Sequence, residues 1–309
     1  MYEKFYNFRE NPFTITPDSK FFFPSQRHAR ALDGLLYTIT ERRGFAVVTG
    51  EIGSGKTTIC RTLLSKLDPA TKVVMITNTY LTPKELLSSI LEDLGVTSSA
   101  KTKSSLLNSL RKFLIEQLSL NSNVVLIIDE AQNLNLRMLE EIRMLSNLET
   151  EKKKMIQIIL SGQPNLKDKL QKPELAQFRQ RVCVQYHIQP LDLMDTEKYI
   201  HHRLRKASIN ENVKVEFTSD TIAEIYNYSQ GIPRVINMIC NSALLVSYVL
   251  EAKQITIELL REAMEEFKGE AKIDSALDPS VPAREWVSEE IIEISKANSK
   301  EGRRYESHR

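Results

Sequence analysis

The octapeptide Gly50-Glu51-Ile52-Gly53-Ser54-Gly55-Lys56-Thr57 follows directly on the apolar run Phe45-Ala46-Val47-Val48-Thr49, and it constrains this 309-residue chain more than any other feature. Glycines at this spacing let the backbone curl with its N–H groups turned inward, a nest that solvates the phosphates of a nucleotide. Lys56 then has the reach for the β- and γ-phosphates, and the Thr57 hydroxyl is placed to ligate Mg²⁺. The residues from Thr58 to Leu67 have helical spacing. The loop should therefore end on a helix N-terminus, whose partial positive charge favours an anion. Gly50 through Thr58 are the expected nucleotide contacts.

A loop of this kind needs strands behind it. The runs 72–77, 124–128, 155–160 and 182–188 are short and apolar or rich in β-branched residues, and they read as buried strands. Helices are expected over about 26–42, from the Thr82-Pro83-Lys84-Glu85 cap to Leu94, and over 104–118. Apolar strands alternating with helices long enough to cross over give an α/β fold, a parallel sheet with helices on both faces. From Asp192 onward strands should disappear. Helical patterns over 196–207, 219–229, 233–251 and 256–267 instead make a small all-α lid domain.

The expected division is then an N-terminal linker over 1–25 that packs across the core and a nucleotide-binding domain over 26–190. The lid over 191–268 and a solvated, disordered tail over 269–309 complete it. Within the tail, Trp286-Val287-Ser288-Glu289-Glu290-Ile291-Ile292-Glu293-Ile294 has the pattern of a short amphipathic helix that docks on a partner.

The strand at 124–128 ends in Asp129-Glu130, at the end of the sheet where ligands bind in open α/β folds. Asp129 would hold Mg²⁺ through its water shell, and Glu130 would polarise the water that attacks the γ-phosphate. The cofactors this pattern calls for are ATP and Mg²⁺.

Taken in order, Gly50–Thr57, Asp129-Glu130, Ser161-Gly162-Gln163-Pro164, Phe178-Arg179-Gln180-Arg181-Val182 and Gly231-Ile232-Pro233-Arg234 resemble the AAA+ P-loop ATPases. More narrowly, Phe5-Tyr6, Asn11-Pro12-Phe13, Thr16-Pro17-Asp18, Arg43-Gly44-Phe45, Glu130-Ala131-Gln132-Asn133-Leu134 and Leu145-Ser146-Asn147-Leu148-Glu149-Thr150 are similar to the ExeA/GspA family of general secretion pathway protein A ATPases. Relatives of that family include MshM-like pilus proteins and ATPases encoded with exopolysaccharide or exosortase systems. The resemblance spans residues 1 to about 268.

The resemblance implies roles for further residues. Gln163 would sense the γ-phosphate from the strand beside the site. Arg181 would be an arginine finger offered to the nucleotide of the next subunit, with Arg179 as the alternate, and Arg234 would be the second sensor, on the lid. It also implies a homo-oligomer, ring or filament, working with membrane-associated secretion, pilus or exopolysaccharide assembly proteins. The secretion prototypes continue into a membrane span and a periplasmic peptidoglycan-binding domain. The residues from Gly269 onward read differently, which points to the short, cytoplasmic branch.

Composition adds bounds. A net charge of +2 and 27% charged residues single out no class of partner, so any DNA contact must come from a local patch. The basic clusters His201-His202-Arg203-Leu204-Arg205-Lys206 and Lys152-Lys153-Lys154 read as solvated faces. DNA remains the alternative partner, by similarity to adaptor ATPases of the MuB and TnsC transposition type. Cys60, Cys183 and Cys240 form no C-x-x-C pair, which fits a reducing compartment. No apolar stretch approaches the ~20 residues of a membrane span. The expected location is cytoplasmic, with attachment to the inner membrane only through partners.

Overall fold

The structure is a computed structural model that describes residues 2–97, 102–151 and 153–265. The expected tail, with its helix around Trp286, and Lys152 lie outside the described residues.

Helix α1 (Tyr2–Phe5) opens the chain and α2 (Gln26–Thr40) precedes β1 (Phe45–Gly50). Then come α3 (Lys56–Lys66), β2 (Lys72–Ile76), α4 (Pro83–Asp93), α5 (Lys103–Ser119) and β3 (Val124–Ile128). Helix α6 (Leu136–Leu145), β4 (Gln157–Gly162), α7 (Pro164–Leu170), α8 (Ala176–Arg179) and β5 (Val182–Ile188) complete the first part. The strands form one parallel sheet in the order β2-β3-β4-β1-β5. Strand β1, which feeds the phosphate loop, is therefore paired on both sides.

Strand periodicity assigns the two faces. Phe45 and Val47 join Val74, Leu126, Ile158 and the inward residues of α4, α5 and α6 in one cluster. Ala46 and Val48 join Val125, Ile127, Ile159 and residues of α2 and α3 in another. Both faces are covered by helices, as near-continuous apolar strands require. The capping box expected at Thr82 and Glu85 is formed at the start of α4.

Strand β4 begins two residues later than the run 155–160. Before it, the Met155 N–H donates to Leu148 O, and the Gln157 side chain accepts from the Gly44 N–H. The ladder with β1 starts only with the bond from Ile158 N to Gly44 O at 2.8 Å.

The region expected to form the lid contains α9 (Leu193–Ala207), β6 (Glu216–Phe217), α10 (Ser219–Ser229), α11 (Pro233–Val249), β7 (Gln254–Ile255) and a helix over 257–265. Strands do not disappear after Asp192, contrary to expectation, because β6 and β7 pair in parallel. Two-residue strands are too short to leave a periodic trace in sequence.

The N-terminal segment packs mainly against the helices after Asp192. Its aromatics Tyr2, Tyr6, Phe8, Phe13 and Phe21 are buried in the cluster of the lid, with Ile200, Ile236 and Leu244. Arg203, expected on a solvated face, is the pin: only 6% exposed, it donates to Pro12 O, Thr14 O and the Tyr199 hydroxyl. Its guanidinium also lies 4.6 Å from the Phe21 ring.

Candidate active site

The phosphate loop turns on two glycines in the left-handed region, Gly53 at φ 79° and Gly55 at φ 98°. A Cβ on Gly53 would lie 2.5 Å from Arg234 Cβ, and the Arg234 N–H donates to Gly53 O at 3.2 Å. The start of α11 is thus packed against the loop, which brings Arg234 to the site. Lys56 Nζ donates to Gly50 O at 2.8 Å and Glu51 O at 2.9 Å. Burial pulls its pKa below the ordinary lysine value, and the negative charges of Glu130, Asp129 and Glu51 oppose that pull. Ser54 Oγ is buried without a hydrogen-bond partner among the described residues.

Beneath the loop, His28 Nε2 lies 3.1 Å from Ser54 O. A carbonyl only accepts, so Nε2 carries the proton. In the neutral ring Nδ1 then accepts from Ser25 Oγ, 2.7 Å away. Burial lowers the His28 pKa and favours that neutral form.

Register places the acidic pair. Ile128 pairs with Leu160, so Asp129 emerges beside Ser161 at the sheet end where the loop leaves β1. Thr57 Oγ1 donates to Asp129 Oδ2 at 3.0 Å, and Ser161 Oγ donates to Oδ1 at 2.8 Å. Glu130 adopts a left-handed conformation at φ 52° and opens the one-turn helix Ala131–Asn133. Gln132 Nε2 donates to Glu130 Oε2 at 2.5 Å, while Gln132 Oε1 accepts from the Gln163 N–H at 3.0 Å.

The donor set suits Mg²⁺. That ion takes one or two protein oxygens and fills its remaining positions with phosphate and water. Here a hydroxyl and a carboxylate converge, and no group of three or more His, Cys, Asp or Glu suited to a metal occurs among the described residues.

A cavity of about 450 Å³ opens at the loop, lined on one side by Ile52, Gly53, Gly55, Lys56, Thr57, Thr58, Glu130 and Arg234. Its other wall is the N-terminal segment from Thr14 to Asp18 and Phe21 to Phe23, with His28, Tyr199, Arg203 and Asn237. This wall, together with Ser161 and Gln132 as supports of the acidic pair, escaped the reading of the sequence. The turn signals at Asn11-Pro12-Phe13 and Thr16-Pro17-Asp18 marked the segment as irregular, but not the surface it covers.

The two candidate finger residues stand apart from this cluster. Arg179 is engaged within its own chain, donating to Leu170 O at 2.9 Å and Lys172 O at 2.8 Å. Arg181 precedes Val182, which pairs with Phe45 at the start of β1, whereas the loop leaves the far end of that strand. Six residues at about 3.3 Å each separate the two ends. Arg181 is half-buried, 3.6 Å from Glu149.

Known proteins supply independent comparisons. A family model described as an AAA domain matches residues 39–170. General secretion pathway protein A of Aeromonas hydrophila is 37% identical over 256 residues, covering 82% of this chain and 46% of the relative. The chain thus spans about half the length of the curated relative it matches. Among solved structures, Aeropyrum pernix ORC1 in complex with DNA gives a TM-score of 0.64 at 16% identity over 88% of this chain and 73% of that one. Aeropyrum pernix ORC2, in its ADPNP and ADP complexes, gives 0.61 at 15% identity over 84% and 72%. The RuvB Holliday junction branch migration motor of Thermotoga maritima gives 0.51 at 18% identity over 77% and 68%. At such identities the likeness is one of fold.

Proposed function

Because the chain belongs to the AAA+ P-loop proteins and is related to General secretion pathway protein A, we propose that it hydrolyses ATP with Mg²⁺, at sites completed by a second copy of itself. The observation that carries this reading is the bond from Thr57 to Asp129, next to a cavity that Lys56, Thr58 and Glu130 share. Bound Mg²⁺ would neutralise charge developing on the phosphates, with Thr57 and Asp129 as its protein ligands. Gly50 through Thr58 cradle the phosphates through backbone N–H groups, with Lys56 as the fixed cation. Glu130 takes the proton side of the attacking water, Gln163 orients that water, and Arg234 reads the phosphates from the lid.

Arg181 is assigned to a neighbouring copy's nucleotide. The length of β1 separates it from its own loop, and Arg179 is occupied by the carbonyls of Leu170 and Lys172. The output we propose is assembly of a membrane-associated secretion, pilus or exopolysaccharide system, by a cytoplasmic homo-oligomer that meets the membrane through its partners. Support comes from the 37% identical relative, and no helix among the described residues is long and apolar enough to cross a membrane. The DNA-adaptor alternative gains no observation. Within the basic clusters Arg203 is withdrawn from the surface and Lys154 is paired with Glu149, while Lys153, Arg205 and Lys206 are exposed.

Fluorescent-nucleotide binding and phosphate release test the chemical assignment together. Lys56→Ala should lose ATP binding, whereas Glu130→Gln should bind ATP like the parent and hydrolyse it on the order of 10²-fold more slowly. Hydrolysis at the parental rate by Glu130→Gln would remove that residue from the mechanism.

A further inference from the structure

Glu130 has a keeper. Its carboxylate does not stand alone on the loop after β3, because the Gln132 side-chain amide, 6% exposed, donates to Oε2. The other end of the same amide accepts the backbone N–H of Gln163, the residue that leaves β4 and starts α7. Space around that amide is tight: a Cβ on Gly162 would lie 2.8 Å from Gln132 Oε1. The backbone is pinned as well, since Lys169 on α7 donates through Nζ to Gln132 O and, at 2.8 Å, to Leu134 O. One buried side chain therefore joins the proposed water-positioning carboxylate to the strand end that carries Gln163.

We infer that Gln132 is a positioning residue for hydrolysis, which fixes the Glu130 carboxylate and transmits the position of the β4–α7 junction to it. The inference rests on the role proposed for Glu130. Two features make the amide suited to the task. A primary amide donates and accepts at once, so it can bridge a carboxylate and an N–H, which neither a carboxylate nor an apolar side chain can do. The bond to Oε2 also restrains the rotamer of the Glu130 side chain and leaves Oε1 outside it. Holding a catalytic group in its reactive geometry contributes to rate without contributing to ground-state binding. The acceptor half extends the reach of the device. Any shift of the β4–α7 junction, where Gln163 sits, alters the partner of Oε1 and with it the rotamer of Gln132.

The test is a double-mutant cycle in the full chain, with ATP as substrate. Gln132→Met keeps side-chain volume and removes both bonds. It should lower kcat by about tenfold or more while leaving the affinity for ATP within about twofold. In a Glu130→Gln background the same substitution should change the residual rate by less than about twofold, because the group it positions has been removed. Gln132→Glu keeps the acceptor for Gln163 and sets a second carboxylate against Glu130. It should lower kcat in the parental background and change the residual rate of Glu130→Gln by less than about twofold. This variant also carries the test should Gln132→Met fail to fold. A parental kcat in the Gln132 variants would overturn the inference. An equal drop from Gln132→Met in both backgrounds would do so as well, since it would mark a purely structural role. Full activity of Glu130→Gln alone would instead overturn the assignment of Glu130, and the role of Gln132 with it.

Discussion

His28 ties α2 to the phosphate loop with a bond that depends on which ring nitrogen is protonated. Nε2–H holds Ser54 O, and Ser25 both accepts from the His28 backbone N–H and donates to Nδ1. Burial lowers the His28 pKa below its ordinary 6.5. The unfolded chain then takes up the proton more readily than the folded one, so stability held above about pH 6.5 is lost as pH falls below it. Burial lowers His202 in the same way, reinforced by Lys206 and Arg203, so the two add. Thermal melts between about pH 7.5 and 5 should show a fall in Tm that is shallower for His28→Gln, whose amide still donates to Ser54 O. The slope lost is at most about 1.4 kcal/mol per pH unit for one group. An unchanged slope would mean that His28 takes up its proton without cost. The loop that His28 supports was plain from sequence, because its residue types and spacing have few other uses. His28 was not, since a histidine on an amphipathic helix gives no sign of the carbonyl it will meet. Gln132 was hidden for a similar reason: it was visible in Glu130-Ala131-Gln132-Asn133-Leu134, but its two partners meet only when β3 and β4 pair.

Elements with a strong period were legible and short or irregular ones were not. Strands β1 and β3 fall where apolar runs place them because both of their faces are buried, edge strand β5 falls where its run places it although alternate residues are exposed, and the capped start of α4 follows its turn chemistry. Strand β4 slipped by two residues, since Met155 and Ile156 are as apolar and as buried as the strand proper. Helices α6 and α7 are short, and the β6–β7 pair shorter still. The N-terminal segment was least legible: its aromatics join the core of the helices after Asp192, and its Thr14 and Phe21 line the cavity at the phosphate loop. Arg203 links the segment to those helices with bonds donated to Pro12 O and Thr14 O. Arg203→Met keeps the aliphatic stem and leaves the Pro12 and Thr14 carbonyls without that donor. It should cost about 2–4 kcal/mol in denaturant unfolding and weaken nucleotide binding in parallel. Parental stability together with parental affinity would show that aromatic packing alone holds the segment in place.

At the scale of the whole molecule, one chain brings Lys56, Thr57, Glu130 and Arg234 to one cavity, with Asp129 bonded to Thr57. The proposed finger, Arg181, stands at the opposite end of β1, beside Glu149 on the flank of the sheet. With that separation, the proposed hydrolysis needs a second copy. A guanidinium contributed across an interface raises the rate of phosphoryl transfer by a factor on the order of 10³–10⁵ in GTPases. Assembly, ATP binding and chemistry can therefore be interrogated together by mixing two inactive proteins. Arg181→Ala retains an intact cradle, and Lys56→Ala retains an intact finger. Phosphate release from ATP should be near background for each alone and should reappear on mixing, wherever an intact Lys56 faces an intact Arg181. If the mixture is shown to co-assemble and still releases phosphate no faster than either variant alone, the claim of ATP hydrolysis at sites shared between copies is contradicted.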